Sequence, residues 1–216
     1  MLTICLLLTS FSGCLDSLSR EDCLDSLSRE DDNIQTIFKP GNRDELKTAV
    51  VEWVTDPLNA TLTYGNISDW DVSSVTNMSN MFTFALSFNQ DISDWDVSSV
   101  TNMSGMFAYA LSFNQDISDW DVSCVTDMSG MFENTEAFNQ DISDWDVSSV
   151  TNMSAMFGSA KSFNQDISDW DVSSVTDMSY MFSYNDDLSD DNKCAIHSSF
   201  DSNSYWPEDW DEYCSA

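Results

Sequence analysis

The sequence predicts an α/β repeat solenoid, five rungs of about 25 residues with a parallel strand face and short helices, capped at both ends. Three observations predict it. Nearly the same words, ISDWDVSSVTNMS, return from Ile67, Ile92, Ile117, Ile142 and Ile167, and the tryptophans at 70, 95, 120, 145 and 170 keep a constant spacing of 25. Apolar residues make up 42% and aromatics 12%, too many for an acidic disordered chain. A single rung cannot bury its own Trp and Phe, whereas stacked rungs bury them as continuous columns.

The chain opens with MLTICLLLTSFSGC, an apolar run of signal-peptide length that is too short to span a bilayer. Residues 1–13 are therefore read as a signal peptide and the protein as secreted or cell-surface. Ser12-Gly13-Cys14 also resembles a bacterial lipobox, which makes Cys14 a candidate lipid anchor. Residues 14–41 form a polar linker that contains CLDSLSRED twice in tandem, so Cys14 and Cys23 are copies of one position. No other apolar run reaches membrane length.

An N-terminal cap follows over 42–64. In NRDELKTAVVEWV, Leu46, Val50, Trp53 and Val54 share one face at helical spacing, with Asp44 and Glu45 early, where the helix dipole favours acids. Asp56-Pro57 ends this helix, read as 43–55. The solenoid spans 65–188. In its second rung the apolar residues are Ile92, Trp95, Val97, Val100, Met103, Met106, Phe107, Ala110 and Phe113. Trp95-x-Val97 reads as a short inward-facing strand. Met103 to Ala110 reads as a short helix with N-caps among Ser98 to Thr101, and Ser174-x-x-Asp177 has capping-box form. Ile-x-x-Trp-x-Val-x-x-Val repeats the spacing of leucine-rich repeats, whose period range includes 25. The C-terminal cap, 189–216, carries Cys194 and Cys214, expected to close a disulfide loop of about 20 residues. Cys124 stands where other rungs have Ser.

The charge balance is 38 acidic to 7 basic residues, a formal net charge of -31. Nucleic acid and anionic lipid surfaces would be repelled. If Trp and Val point inward, the flanking carboxylates point out in two columns. One is Asp69, Asp94, Asp119, Asp144 and Asp169; the other is Asp71, Asp96, Asp121, Asp146 and Asp171. Neighbours in a column would sit about 5 Å apart. Lys161 is the only basic residue of the array. These ten carboxylates are the candidate binding face, for a protein or glycan surface ligand, and they suit weak calcium binding. No EF-hand loop is present, since Asp91-x-x-Asp94-x-Asp96 lacks the loop's Gly and closing Glu. No Cys/His cluster suggests zinc, no Ser/His/Asp arrangement is found around the single His197, and no phosphate loop occurs, so a non-catalytic role is expected. Asn59, Asn66, Asn77, Asn102 and Asn152 lie in N-x-Ser/Thr sequons.

The stretches ELKTAVVEWV, YGNISDWDVSSVTNMSNMF and SFNQDISDWDVSSVT, with the closing CAIHSSFDSNSYWPEDWDEYC, closely resemble the BspA-like, DUF285 family of surface proteins. The resemblance covers about residues 42–214. It implies a leucine-rich-repeat-like fold and a secreted or surface-tethered binding or adhesion module, without naming a ligand. The alternative is a wall or matrix element whose acidic face hydrates or gathers cations.

Overall fold

The computed structural model describes residues 37–214. The expected signal peptide, the tandem CLDSLSRED, Cys14 and Cys23 lie outside these residues. The N-terminal cap begins with α1, Arg43–Thr55, where Asn42 accepts from the backbone N–H groups of Asp44 and Glu45. Leu46, Ala49, Val50 and Trp53 form its buried face. Asp56 separates it from α2, Pro57–Tyr64, and caps that helix by accepting from Asn59 N–H. A short 3-10 turn, Ile67–Asp69, leads into the first rung.

The rungs stack in the expected 25-residue register, but the strand face and the short helices are absent, which corrects the leucine-rich-repeat-like reading. Among the described residues no strand occurs; the only ladder contacts are single parallel bridges, Asn77–Asn102, Asn102–Asp127, Asp127–Asn152 and Asn152–Asp177. Each rung is instead a succession of tight turns. In the second, Trp95 N–H donates to Ile92 O at 3.1 Å, Val100 to Val97 at 2.8 Å, Met106 to Met103 at 3.1 Å, and Ala110 to Phe107 at 2.8 Å. The recurring spacing of three belongs to these i→i−3 turns. Gly105 and Tyr109 have φ near +60°, which interrupts any helix from Met103 to Ala110. Trp95 and Val97 are buried as expected, but turns flank them on both sides.

All nine apolar positions named for the second rung are buried. The phenylalanines form two columns. Phe82, Phe107, Phe132, Phe157 and Phe182 follow one another at 5.4–5.8 Å between ring centroids, and Phe88, Phe113, Phe138 and Phe163 at 6.0–6.2 Å.

Four kinds of polar ladder hold rung to rung. The N–H groups of Met103, Gly105, Phe107 and Tyr109 donate forward to Asp127, Ser129, Met131 and Glu133 carbonyls at 2.8–2.9 Å, and the first, third and fourth rungs repeat this pattern. Thr101, Thr126, Thr151 and Thr176 donate backward to the preceding Thr carbonyl. The indole N–H of Trp95, Trp120, Trp145 and Trp170 donates to the carbonyl of Ile67, Ile92, Ile117 and Ile142. At the Phe-Asn-Gln corner, Asn114 N–H donates to Asn89 Oδ1, and Gln115 Nε2 to the Asn89 carbonyl and Oδ1.

Both caps continue these ladders. At the N-terminal end, Arg43 Nη2 donates to Ser79 O at 2.7 Å, and Lys47 Nζ to Asn80 O and Met81 O at 2.7 and 2.8 Å. At the other end, α3, Asp190–Phe200, places Asn192 Nδ2 on Asn164 in the role of the next glutamine. Trp206 and Trp210 pack on Phe182, continuing its column. Cys194 and Cys214 are joined, their Cα atoms 4.9 Å apart, which ties α3 to the 3-10 turn Asp211–Cys214.

Candidate functional site

The carboxylates of the two expected columns are brought to one exposed corner, and one column, Asp71, Asp96, Asp121, Asp146 and Asp171, is engaged locally by serine. Asp96, Asp121 and Asp146 each accept from the N–H and hydroxyl of the serine two residues on. Asp171 accepts from Ser173 N–H, and Asp71 from Ser73. These are Asx turns, which fix the chain direction just after the buried Trp. The serine bonds hold the Asp121, Asp146 and Asp171 carboxyls below the ordinary aspartate range, the hydroxyl contributing most. At Asp71 a bond from Lys39 at 2.6 Å dominates, with Ser73 adding to it, and the pKa falls to about 2. Lys39 lies outside the array, so composition of the rungs alone did not reveal this pairing. Asp69, which accepts from Ser68 Oγ at 3.2 Å, and Asp94, Asp119, Asp144 and Asp169 are exposed, as are Asp96, Asp121, Asp146 and Asp171.

Two further columns carry the same turn: one not singled out from the sequence, and one at the sequon position, where Asn77, Asn102 and Asn152 alternate with Asp127 and Asp177. Asp91, Asp116, Asp141 and Asp166 brace Ser93, Ser118, Ser143 and Ser168 in the same way. Asn77, Asn102, Asp127, Asn152 and Asp177 accept from Ser79, Ser104, Ser129, Ser154 and Ser179. That explains the Asn/Asp exchange at the sequon position, because either side chain offers the accepting Oδ1; the capping box expected at Ser174–Asp177 is replaced by this turn. The words D-x-S and N-x-S carried the signal. Among the described residues no group of three or more His, Cys, Asp or Glu side chains is placed to hold a metal ion. His197 is buried in the cap: Trp206 Nε1 donates to its Nδ1 at 3.0 Å, and its Nε2 meets Asp211 at 3.1 Å.

A different surface has the shape of a site. Each rung bears two positions of positive φ four residues apart. The first column is Asn80, Gly105, Gly130, Ala155 and Tyr180; the second is Phe84, Tyr109, Asn134, Ser159 and Tyr184. Between them runs a shallow groove. One part, of about 430 Å³, passes over Gly105, Ala108 and Gly130 to Ala155, with Phe84 and Tyr109 on its rim. The second part, of about 550 Å³, shares Ala155 and Glu133 with the first and ends at Tyr180 and Tyr184. Phe84 stacks on Tyr109 at 4.7 Å, yet it is 66% exposed, and Tyr180 and Tyr184 are 71% and 81% exposed. Glu133 is the only charged residue lining either part. Glycine is favoured at 105 by its φ of +60°, and a Cβ there would come within 2.6 Å of Asn80 Oδ1 and require that side chain to shift.

Fold and surface together define a class: a stack of turn-built rungs closed by two caps, with its polar groups spent mainly on bracing the backbone. Residues 42–135 and 116–205 match the family described as Mycoplasma protein of unknown function, DUF285, and the chain belongs to that family. No curated protein and no solved structure matches it. No helix among the described residues is long and apolar enough to cross a membrane.

Proposed function

We propose that this chain is a non-catalytic binding module, secreted or held at a cell surface, that takes a protein or glycan ligand along the groove between the two left-handed columns. One observation carries the reading. A side chain in the left-handed region costs about 1–2 kcal/mol. Burial normally offsets such a cost, but Phe84, Tyr180 and Tyr184 leave most of their rings in water. Large exposed aromatics held in strained backbone are characteristic of recognition surfaces. The groove lining has one carboxylate and no cation, so neutral or cationic ligands suit it better than anionic ones. The bond between Cys194 and Cys214 supports an oxidising compartment. The Asp corner serves this module as a hydrated, braced edge.

The test is a binding screen of the full chain against intact cell surfaces and an oligosaccharide array, run beside two variants. Phe84→Gly/Tyr109→Gly removes rings at positions where glycine is at ease, and should weaken binding at least tenfold. Asp94→Asn/Asp96→Asn/Asp119→Asn/Asp121→Asn should bind within twofold of the parent. The reverse pattern would place recognition on the acidic corner and sink the groove reading.

A further inference from the structure

The inter-rung ladder has a direction, and its two ends are treated differently. In the first four rungs, four alternate N–H groups point forward and meet four carbonyls of the next rung; in the fourth these are Met153, Ala155, Phe157 and Ser159, donating to Asp177, Ser179, Met181 and Ser183 at 2.7–2.9 Å. The fifth rung has the equivalent donors, Met178, Tyr180, Phe182 and Tyr184, and none of these N–H groups has an acceptor among the described residues. At the opposite end the corresponding acceptors are the carbonyls of Asn77, Ser79, Met81 and Thr83, and α1 covers the middle two, Ser79 through Arg43 and Met81 through Lys47, which also meets Asn80 O. The C-terminal cap reaches the fifth rung's earlier carbonyls, Ser199 bonding Ser168 O and Asn203 bonding Val172 O and Val175 O, but over 178–184 the contact shown is apolar. Trp206 and Trp210 sit over Phe182, while Tyr180 and Tyr184 on either side of it remain 71% and 81% exposed. One residue beyond Tyr184, Asn185 stands in the column of Ala85, Ala110, Thr135 and Ala160, and both polar atoms of its side-chain amide are buried without a partner. Thr135, the other polar member of that column, spends its hydroxyl on Phe107 O.

We infer that the donor edge Met178–Tyr184 is a docking edge for an extended segment of another polypeptide, one that presents alternate carbonyls as a rung of this type does. An open row of N–H groups is a template for added chain. The chemistry of the occupant follows from the four interfaces already filled inside the molecule, which this edge continues in the same register. A second copy of this chain does not supply it. Two copies meeting by a two-fold axis would set donors against donors, and in head-to-tail stacking α1, bonded to Ser79, Asn80 and Met81, stands in the middle of the acceptor row. The occupant is therefore a rung-like segment from a partner chain with an uncovered acceptor edge.

The experiment is an NMR titration of the full chain with a synthetic peptide of residues 150–163, VTNMSAMFGSAKSF, taken to millimolar concentration, with amide hydrogen exchange measured before and after. In the free chain the Tyr180 and Tyr184 amides should exchange at least tenfold faster than those of Gly130 and Asn134. The peptide should shift Tyr180, Phe182 and Tyr184 and slow exchange at Tyr180 and Tyr184, and a scrambled peptide should not. Equal protection of Tyr184 and Asn134 in the free chain would overturn the inference, as would an absence of peptide-induced shifts over 178–184. Shifts over 178–184 that appear on raising the concentration of the chain alone would mean that a second copy is the occupant, and would also overturn it.

Discussion

Trp120 lies in the central rung, so Trp120→Ala perturbs the stack without touching either cap. Its ring is 4% exposed, lies 6.2 Å from Phe107, and donates its indole N–H to Ile92 O at 3.2 Å. Removing a buried Trp side chain costs about 3–5 kcal/mol through lost transfer energy and the cavity left behind. The hydrogen bond is a minor share, because Ile92 O also accepts from Trp95 N–H at 3.1 Å and keeps that partner. Its loss contributes about 0.5–1.5 kcal/mol. Trp120→Phe separates the two terms, retaining a ring while losing the donor, and should fall well below the alanine variant. Urea unfolding followed by circular dichroism reads both. A Trp120→Ala variant within about 1 kcal/mol of the parent would refute the packing argument, since no collapse around a buried indole in mid-stack recovers that much.

Three further outcomes are expected. Ala155→Gly should stabilise the chain by about 0.5–1 kcal/mol, because relief of left-handed strain exceeds the backbone entropy glycine adds; a loss of about 1 kcal/mol in thermal melts would show that Ala155, φ +53°, is unstrained. The carboxyls of Asp91, Asp116, Asp121, Asp141, Asp146, Asp171 and Asp177 are held low by serine donors, and that of Asp71 first by Lys39. A depressed folded pKa gives stability that is present above the ordinary aspartate value and lost as pH falls through the folded one. Stability should therefore decline below about pH 4, with the Asp71 share persisting to about pH 2, and a rise in stability between those values would contradict the Asx-turn account. Calcium should raise the melting temperature no more than sodium chloride of equal ionic strength, because screening acts on the columns without a converging site; a larger calcium effect, abolished by the four Asp→Asn changes, would restore the corner as a cation site.

The sequence made the 25-residue register, the inward residues, the α1 helix and the Cys194–Cys214 pair legible, because each rests on one strong signal: repetition, apolar spacing or pairing. It misled on the rung itself. Spacings of two and three fit strands and helices, and they fit a chain of i→i−3 turns equally well. What separates these is backbone handedness, and the residues that carry it, Asn80, Gly105, Gly130, Ala155 and Tyr180, share no side-chain type. The Asp columns stood out by repetition, and in the column of Asp71, Asp96, Asp121, Asp146 and Asp171 that repetition builds one Asx turn five times. The groove was hidden for the opposite reason. Phe84, Tyr109, Tyr180 and Tyr184 fall where other rungs carry Asn, Gly, Ala or Ser, so the column looked like surface variation. Lys39 and Asn192 escaped because each reaches the array from outside the repeat, Lys39 to pair with Asp71 and Asn192 to continue the glutamine ladder.

Groove and docking edge both depend on alternate N–H groups pairing forward across rungs from a backbone that turns left-handed at every second such donor. The most direct measurement is of scalar couplings across hydrogen bonds by NMR. The account predicts couplings from the amide nitrogens of Gly105, Phe107 and Tyr109 to the carbonyl carbons of Ser129, Met131 and Glu133, with positive φ at Gly105 and Tyr109. Couplings from those amides to carbonyls four residues earlier in the same rung would mean a helix over Met103–Ala110, and would contradict it.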